Sequence, residues 1–225
     1  MDETVDQISV VMPYYSRQAV LRETLGTYRE LYSSDVEIII VDDGSPEPLG
    51  TIDGAKVIRL PYKTVGLSPV IPINIGIEYA AHDLIAISLP EVRHQSPVLY
   101  SMREVCEEDT YVMSRCWCDG TSRWLSAPDV EPPEGQQHHK PVGVGFNFCV
   151  MFRRQLWSKI GGMSREYRNG SHFDDTDFAH KIKKSGAALR WVDDVVIHSR
   201  RDGARAPWVP GGWAVNHAIF ASKWL

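Results

Sequence analysis

The feature that most constrains this chain is a repeating pattern in which a short apolar run stops at a polar or proline-bearing turn and is followed by apolar residues at helical spacing. Residues 8–12 end at Pro13, and Leu21, Leu25, Tyr28 and Tyr32 follow, which reads as strand, turn and amphipathic helix. Residues 36–41 are nearly all apolar, as expected of a strand covered on both faces, and they stop at Asp42-Asp43-Gly44-Ser45-Pro46. The pattern recurs at 56–60, then in a helical stripe of Ile73, Ile77, Ala80 and Ala81 after Pro69 and Pro72, then at 84–88. Strands alternating with helices at such short intervals require right-handed crossovers, which predicts an α/β fold with a mostly parallel central sheet.

The second half changes character. Residues 111–116 read as a strand, and 126–141, rich in Pro, Glu, Gln and His without apolar periodicity, read as a mobile surface loop. A strand over 145–152 leads into a short helix over 155–160 that Gly161-Gly162 closes. A helix over 174–185 follows, with Phe178 and Ile182 on its inner face and Gly186 as its C-cap, and then a strand over 189–197 that ends at His198. A chain of 225 residues buries roughly 70% of the surface its unfolded form exposes, enough for one core, so a single domain is expected. Residues 1–95 read as its nucleotide-binding half and 96–225 as the other half.

The formal net charge of −5 gives no general attraction to phosphate backbones, which disfavours a basic nucleic-acid binder. No apolar run approaches the ~20 residues of a membrane span, and the acidic start resembles no secretory leader. Four cysteines without a dense framework suit reduced thiols, so the expectation is a soluble, cytoplasmic protein.

In open α/β sheets ligands bind beyond the carboxyl ends of the strands. Those ends carry Pro13-Tyr14-Tyr15, Asp42-Asp43, Pro90-Glu91 and His198. Acids there can hydrogen-bond a base or ribose, and a carboxylate with an imidazole can ligate a divalent cation that neutralises a diphosphate. The glycine fingerprint of a dinucleotide site and the P-loop are both missing after the first strand, where Tyr14-Tyr15-Ser16-Arg17 stands. A sugar-nucleotide site fits the set better than a dinucleotide site.

Four segments, 8–15 (Ile-Ser-Val-Val-Met-Pro-Tyr-Tyr), 38–45 (Ile-Ile-Ile-Val-Asp-Asp-Gly-Ser), Asn74-Ile75-Gly76 and 173–178 (Phe-Asp-Asp-Thr-Asp-Phe), stand in the order and spacing of family-2 glycosyltransferases. The resemblance takes in nearly the whole chain, including Gly161-Gly162-Met163 and the segment from Trp213 to Trp224. It implies an inverting enzyme of GT-A fold, a Rossmann-like nucleotide-binding architecture, that moves a sugar from a nucleotide-sugar, a UDP-sugar first, to an acceptor hydroxyl. Pro13, Tyr14, Tyr15, Asp43, Ser45 and above all Asp42, preferred as the base contact, would then line the nucleoside pocket. Asp174-Asp175 matches the family's acidic pair, with Asp175 as the base that deprotonates the acceptor.

The departure lies after the strand at 84–88, where the family shows Asp-x-Asp and this chain has Leu89-Pro90-Glu91. Glu91 and His198 are therefore the expected ligands of Mn²⁺ or Mg²⁺, with His94 as a substitute for either. Arg200, Arg201 and Arg205 are candidate diphosphate contacts, and Trp117 and Trp124 candidate acceptor contacts. The acceptor itself, a saccharide or a hydroxymethylated nucleic-acid base, is set by the variable second half. Each feature has a plainer explanation: Asp42-Asp43-Gly44-Ser45 as a strand-ending turn, Asp174 and Asp177 as helix-capping acids, His198 as a structural histidine, the tryptophans as core. The missing carboxylate also allows an inactive nucleotide-binding module, and a sugar-phosphate nucleotidyltransferase would share the first half.

Overall fold

A computed structural model describes residues 6–64, 66–128, 143–144, 147–199 and 210–225. The first half runs β1 (Ile8–Tyr14), α1 (Gln18–Leu31), β2 (Val36–Asp42), β3 (Ala55–Arg59), α2 (Val70–Tyr79), β4 (Leu84–Ser88) and β5 (Val92–His94). The second half runs α3 (Val98–Val105), β6 (Thr110–Cys118), β7 (Arg123–Ser126), β8 (Cys149–Arg153), α4 (Arg154–Ile160), a 3-10 turn at Arg165–Asn169, α5 (Asp174–Ser185), β9 (Ala188–His198) and α6 (Gly212–Trp224). The strands join one sheet in the order β3-β2-β1-β4-β8-β6-β9-β5, with β7 paired to β6.

Strands β1 to β4 are all parallel, because each is joined to the next by a crossover. Beyond them the sheet is mixed: β8 is antiparallel to β4 and β6, β9 is parallel to β6, and β5 is antiparallel to β9. The parallel character expected from the sequence thus belongs chiefly to β1–β4 in the first half. The reversal at β8 carries the chain away from the Rossmann-like pattern.

All seven residues of β1 are buried, since the sheet is covered on both faces. On one face Val10 and Met12 join Leu21, Leu25 and Tyr28 of α1 and Leu99 and Met102 of α3. On the other, Val11, Ile85 and Ile87 meet Ile73 and Ile77 of α2, Leu156 of α4, Phe178 and Ile182 of α5, and Phe220 of α6. Helix α2 starts at Val70, before Pro72, because a proline in the first turn lacks only an N–H that has no intrahelical partner anyway.

Two family motifs turn out to be packing devices. A Cβ on Gly76 would lie 2.3 Å from Val11 Cγ1, so only glycine lets α2 approach β1 this closely. Asn74 ties α2 to the Gly161-Gly162-Met163 turn: its side-chain amide donates to Met163 O at 3.0 Å, and its Oδ1 accepts from Met163 N at 3.3 Å. Arg154 satisfies the far end of α2 by donating to the carbonyls of Ile77, Ala80 and His82 at 2.7–2.9 Å.

No side-chain cap forms at the start of α5, where Phe173 adopts a left-handed conformation. Asp177, read as a capping acid, is instead a fully buried junction. It accepts from Ser164 Oγ at 2.6 Å, Tyr167 OH at 3.2 Å and Trp224 Nε1 at 2.9 Å, joining the 3-10 turn, α5 and α6. Replacing Asp177 with alanine takes the acceptor from three donors, the buried Tyr167 OH among them, and is expected to cost roughly 3 kcal/mol in chemical denaturation, with the proteolytic sensitivity of α6 rising first.

Candidate active site

The ends of β1 and β2 lie side by side, Tyr14 in register with Asp42. Asp42 is fully buried, and its carboxylate is filled from within the fold: Oδ1 accepts from Ser45 N at 2.9 Å, and Oδ2 from Leu49 N at 3.3 Å and Arg59 Nη1 at 2.6 Å. In this geometry Asp42 shapes the turn rather than presenting itself to a base. Asp43 accepts from Lys63 Nζ at 2.5 Å, Thr64 N at 3.0 Å and Thr64 Oγ1 at 2.7 Å. Ser45 Oγ accepts from Ser16 N at 3.0 Å, and Lys63 Nζ lies 5.2 Å from the Tyr15 ring centre. Pro13, Tyr14, Asp42, Asp43 and Ser45 are all buried, and Tyr15 is half-buried. A Cβ on Gly44 would strike the Tyr62–Lys63 backbone at 2.3 Å, so glycine is what lets the Asp42–Ser45 turn and the Lys63 loop touch.

Glu91 and His198 do come together, on different halves of the chain. Residues Val92 and His198 are register partners across β5 and β9, and Ser199 N donates to Glu91 O at 2.8 Å. His198 Nε2 stands 3.6 Å from Glu91 Oε1, and the same oxygen accepts from Arg17 Nη1 at 2.8 Å. Burial works against the charged form of both groups. The neighbouring opposite charges outweigh it, so the Glu91 pKa is lowered and that of His198 is raised from its ordinary value, with the Cys118 thiol adding to the latter. His198 Nδ1 is buried with no hydrogen-bond partner among the described residues.

His94 is not available as a ligand. It is buried in the α1 face of the core, where Tyr28 OH lies 3.1 Å from Nε2 and Tyr32 OH 2.6 Å from Nδ1. Burial pushes its pKa down to about 3, so it is a neutral structural imidazole.

The expected Mn²⁺ or Mg²⁺ site does not fit the residues present. Leu89 offers no ligand where a first carboxylate would stand, and the carboxylate of Glu91 already holds a guanidinium. Among the described residues no three His, Cys, Asp or Glu side chains cluster to hold a cation. A dication placed here would have to displace Arg17 from the carboxylate of Glu91 and compete with a proton on His198, whose proton affinity is raised.

The acidic pair at the start of α5 opens onto a cavity of about 240 Å³ lined by Ile73, Leu89, Asn147, Phe148, Phe173, Asp174 and Asp175, among others. Leu89 thus lies beside the acids, and Phe148 connects the cavity to the Glu91–His198 patch: its ring meets that of His198 edge-on at 5.5 Å, and its carbonyl accepts from Leu89 N at 3.0 Å. The Asn147 Oδ1 accepts from Tyr111 OH at 2.6 Å, whereas its Nδ2 is buried without a partner among the described residues. Asp174 is buried, and desolvation first, then the charge of Asp175, pushes its pKa up to about 7. Asp175 is half-buried.

Trp117 and Trp124 are register partners on the β6–β7 hairpin, with ring centres 5.1 Å apart at 80° and both half-buried. Side-chain alternation puts Trp117 on the face opposite Cys116 and Cys118. Arg200, Arg201 and Arg205, and most of the expected surface loop, lie outside the described residues. Sequence reading missed the cations that meet the strand-end acids, namely Arg17, Arg59 and Lys63. Their signal was position: Arg17 follows β1, Arg59 ends β3 and Lys63 lies just beyond it.

The model of glycosyl transferase family 2 matches residues 9–161, more than half of the chain. The chain belongs to glycosyl transferase family 2. The matched segment runs from β1 through α4 and holds the turn at Asp42, Glu91 and the cavity wall at Leu89, while α5 and β9 lie beyond it. No curated protein matches the chain by sequence. Among solved structures, this family-2 chain is similar to S. aureus TarS 1-349 in complex with UDP-GlcNAc, with a TM-score of 0.70 at 15% identity over 96% of this chain and 66% of that one. It is also similar to another structure of S. aureus TarS (0.65, 15%, 96% and 39%) and to GalNAc-T7 with UDP, GalNAc and Mn²⁺ (0.64, 14%, 89% and 45%). The chain therefore spans between 39% and 66% of the length of these glycosyltransferases, with which it shares the GT-A fold. Among the described residues no helix is long and apolar enough to cross a membrane.

The raised pKa of Asp174 has a direct consequence for stability. Its folded pKa lies above the unfolded value, so the folded state binds the extra proton between about pH 4 and 7, and stability is lost as pH rises through that window. Asp174→Asn is expected to raise the melting temperature by about 4 °C or more at pH 8 and to change it little at pH 4, as thermal denaturation at the two pH values will show.

Proposed function

We propose that this chain is the catalytic domain of an inverting glycosyltransferase that moves a sugar from a UDP-sugar to an acceptor hydroxyl, a saccharide first. The observation that carries the reading is the shared cavity: the acids of α5 and Leu89, just past β4, line one space, and Phe148 joins it to His198 and Glu91. The buried amide nitrogen of Asn147, unpartnered among the described residues, supports a polar ligand there, and UDP-GlcNAc on TarS 1-349 and UDP on GalNAc-T7 support the donor class.

In this reading Asp175 accepts the proton of the acceptor hydroxyl as its oxygen attacks the anomeric carbon. The bond from that carbon to the diphosphate oxygen breaks on the opposite side, and UDP leaves with the electron pair, which inverts the centre. Asp174 stands buried beside the base, its own proton affinity raised by burial and by the charge of Asp175. Pro13, Tyr14, Tyr15, Asp43 and Ser45 mark the nucleoside end, with Asp42 behind them as the group that holds the turn. A nucleoside that reaches Asp43 exchanges its bonds with Lys63 and Thr64 for its own. Trp117 and Trp124 are the aromatic surface on which an acceptor sugar stacks.

Release of UDP from a panel of UDP-sugars, with simple saccharides as acceptors, tests the reading. Asp175→Asn is expected to lower transfer by about 10²–10⁴-fold while UDP affinity stays within about twofold. In the wild type kcat/KM falls as pH drops below about 7, where Asp174 gains its proton and its charge no longer stands beside the base, and Asp174→Asn removes that limb. UDP binding with no release of UDP from any donor would leave the chain a nucleotide-binding module.

A further inference from the structure

Resting on the reading of this chain as a UDP-sugar transferase, we propose that Arg17 is the diphosphate-binding cation of the site and that donor binding and transfer need no divalent metal. Arg17 stands between β1 and α1 at the carboxyl edge of the sheet, with its side chain one quarter exposed. Its Nη1 donates to Glu91 Oε1 at 2.8 Å. That position is built from several directions. Buried Thr24 of α1 donates to Pro90 O at 2.8 Å, Val92 N donates to Leu89 O at 3.0 Å, and Ser199 N donates to Glu91 O at 2.8 Å. Glu91 is thus fixed by three elements, and it holds the guanidinium two residues along the chain from Leu89, which lines the cavity.

With Leu89 where the family shows an acid, Glu91 is the remaining carboxylate of the motif, and its partner is the Arg17 guanidinium. A guanidinium also offers five N–H donors in a planar fork, of which the contact with Glu91 uses one nitrogen, so others can meet phosphate oxygens. Glu91 is then a positioning residue for Arg17, and Leu89 is free to become apolar cavity wall.

Calorimetric titration of UDP and of uridine, each in chelator and in Mn²⁺, into the wild type, Arg17→Ala, Arg17→Lys and Glu91→Ala tests this. Wild-type UDP affinity is expected to be the same in chelator and in Mn²⁺. Arg17→Ala should weaken UDP roughly ten- to hundredfold and leave uridine, which lacks the diphosphate, unchanged, which also reports that the variant is folded. Arg17→Lys should fall between, since it keeps the charge and loses the fork. Loss of wild-type UDP binding in chelator, with recovery in Mn²⁺ that Glu91→Ala abolishes, would overturn the proposal and leave the donor reading intact. UDP affinity unchanged in Arg17→Ala would overturn it too. Binding of neither UDP nor uridine under any condition would overturn the donor reading itself.

Discussion

A sheet covered by helices on both faces leaves its polar chemistry one place to go. Along β1 and β4 every residue is buried, so neither face can hold an ionised side chain without a partner. The carboxyl edge, where backbone groups run out of ladder partners, is where Asp42, Asp43 and Glu91 collect. Four parallel strands bring these ends together at one edge. The later reversal through β8 then sets Phe148 and Asn147 beside it. The remaining features of the site are consequences of that edge being buried yet charged.

Each acid at the edge has been given a cation or a donor of its own. Asp42 holds Arg59, Asp43 holds Lys63, and Glu91 holds Arg17 beside His198. Taking a carboxylate out of water costs several kcal/mol unless it is paired, so such partners are a condition for placing acids here at all. Asp174 is the exception: burial and a like-charged neighbour drive its pKa to about 7, where proton transfer at neutral pH is most effective. That contrast separates the acids neutralised by partners from one whose proton affinity burial raises.

Much of the architecture was legible because it depends on periodicity. The four strands of the first half, the helix at 174–185 and its glycine cap follow from apolar spacing and turn chemistry, which are local. Helix α3 and strands β5 and β7 were not, being three to eight residues long with patterns too short to show a period. The site was legible in its acids and illegible in its cations. An acid after an apolar strand is a strong local signal, whereas Arg17, Arg59 and Lys63 acquire meaning only from the carboxylates they meet 17 to 74 residues away. Asp177 shows the same limit from the other side, since a first-turn aspartate reads as a cap until Ser164, Tyr167 and Trp224 are found around it.

The sequence by itself determined that strands and helices alternate, that polar residues terminate the strands, and that the first carboxylate of a two-acid motif is absent at Leu89. These are properties of neighbours along the chain, written in spacing and residue type. Only the tertiary structure decided which acids face outward and which are spent within the fold, that His94 is locked between tyrosines, and that Glu91 carries Arg17. Those outcomes depend on distances between residues far apart in sequence, and an ionisable group takes its charge, its pKa and its role from whatever the fold places within a few ångströms of it.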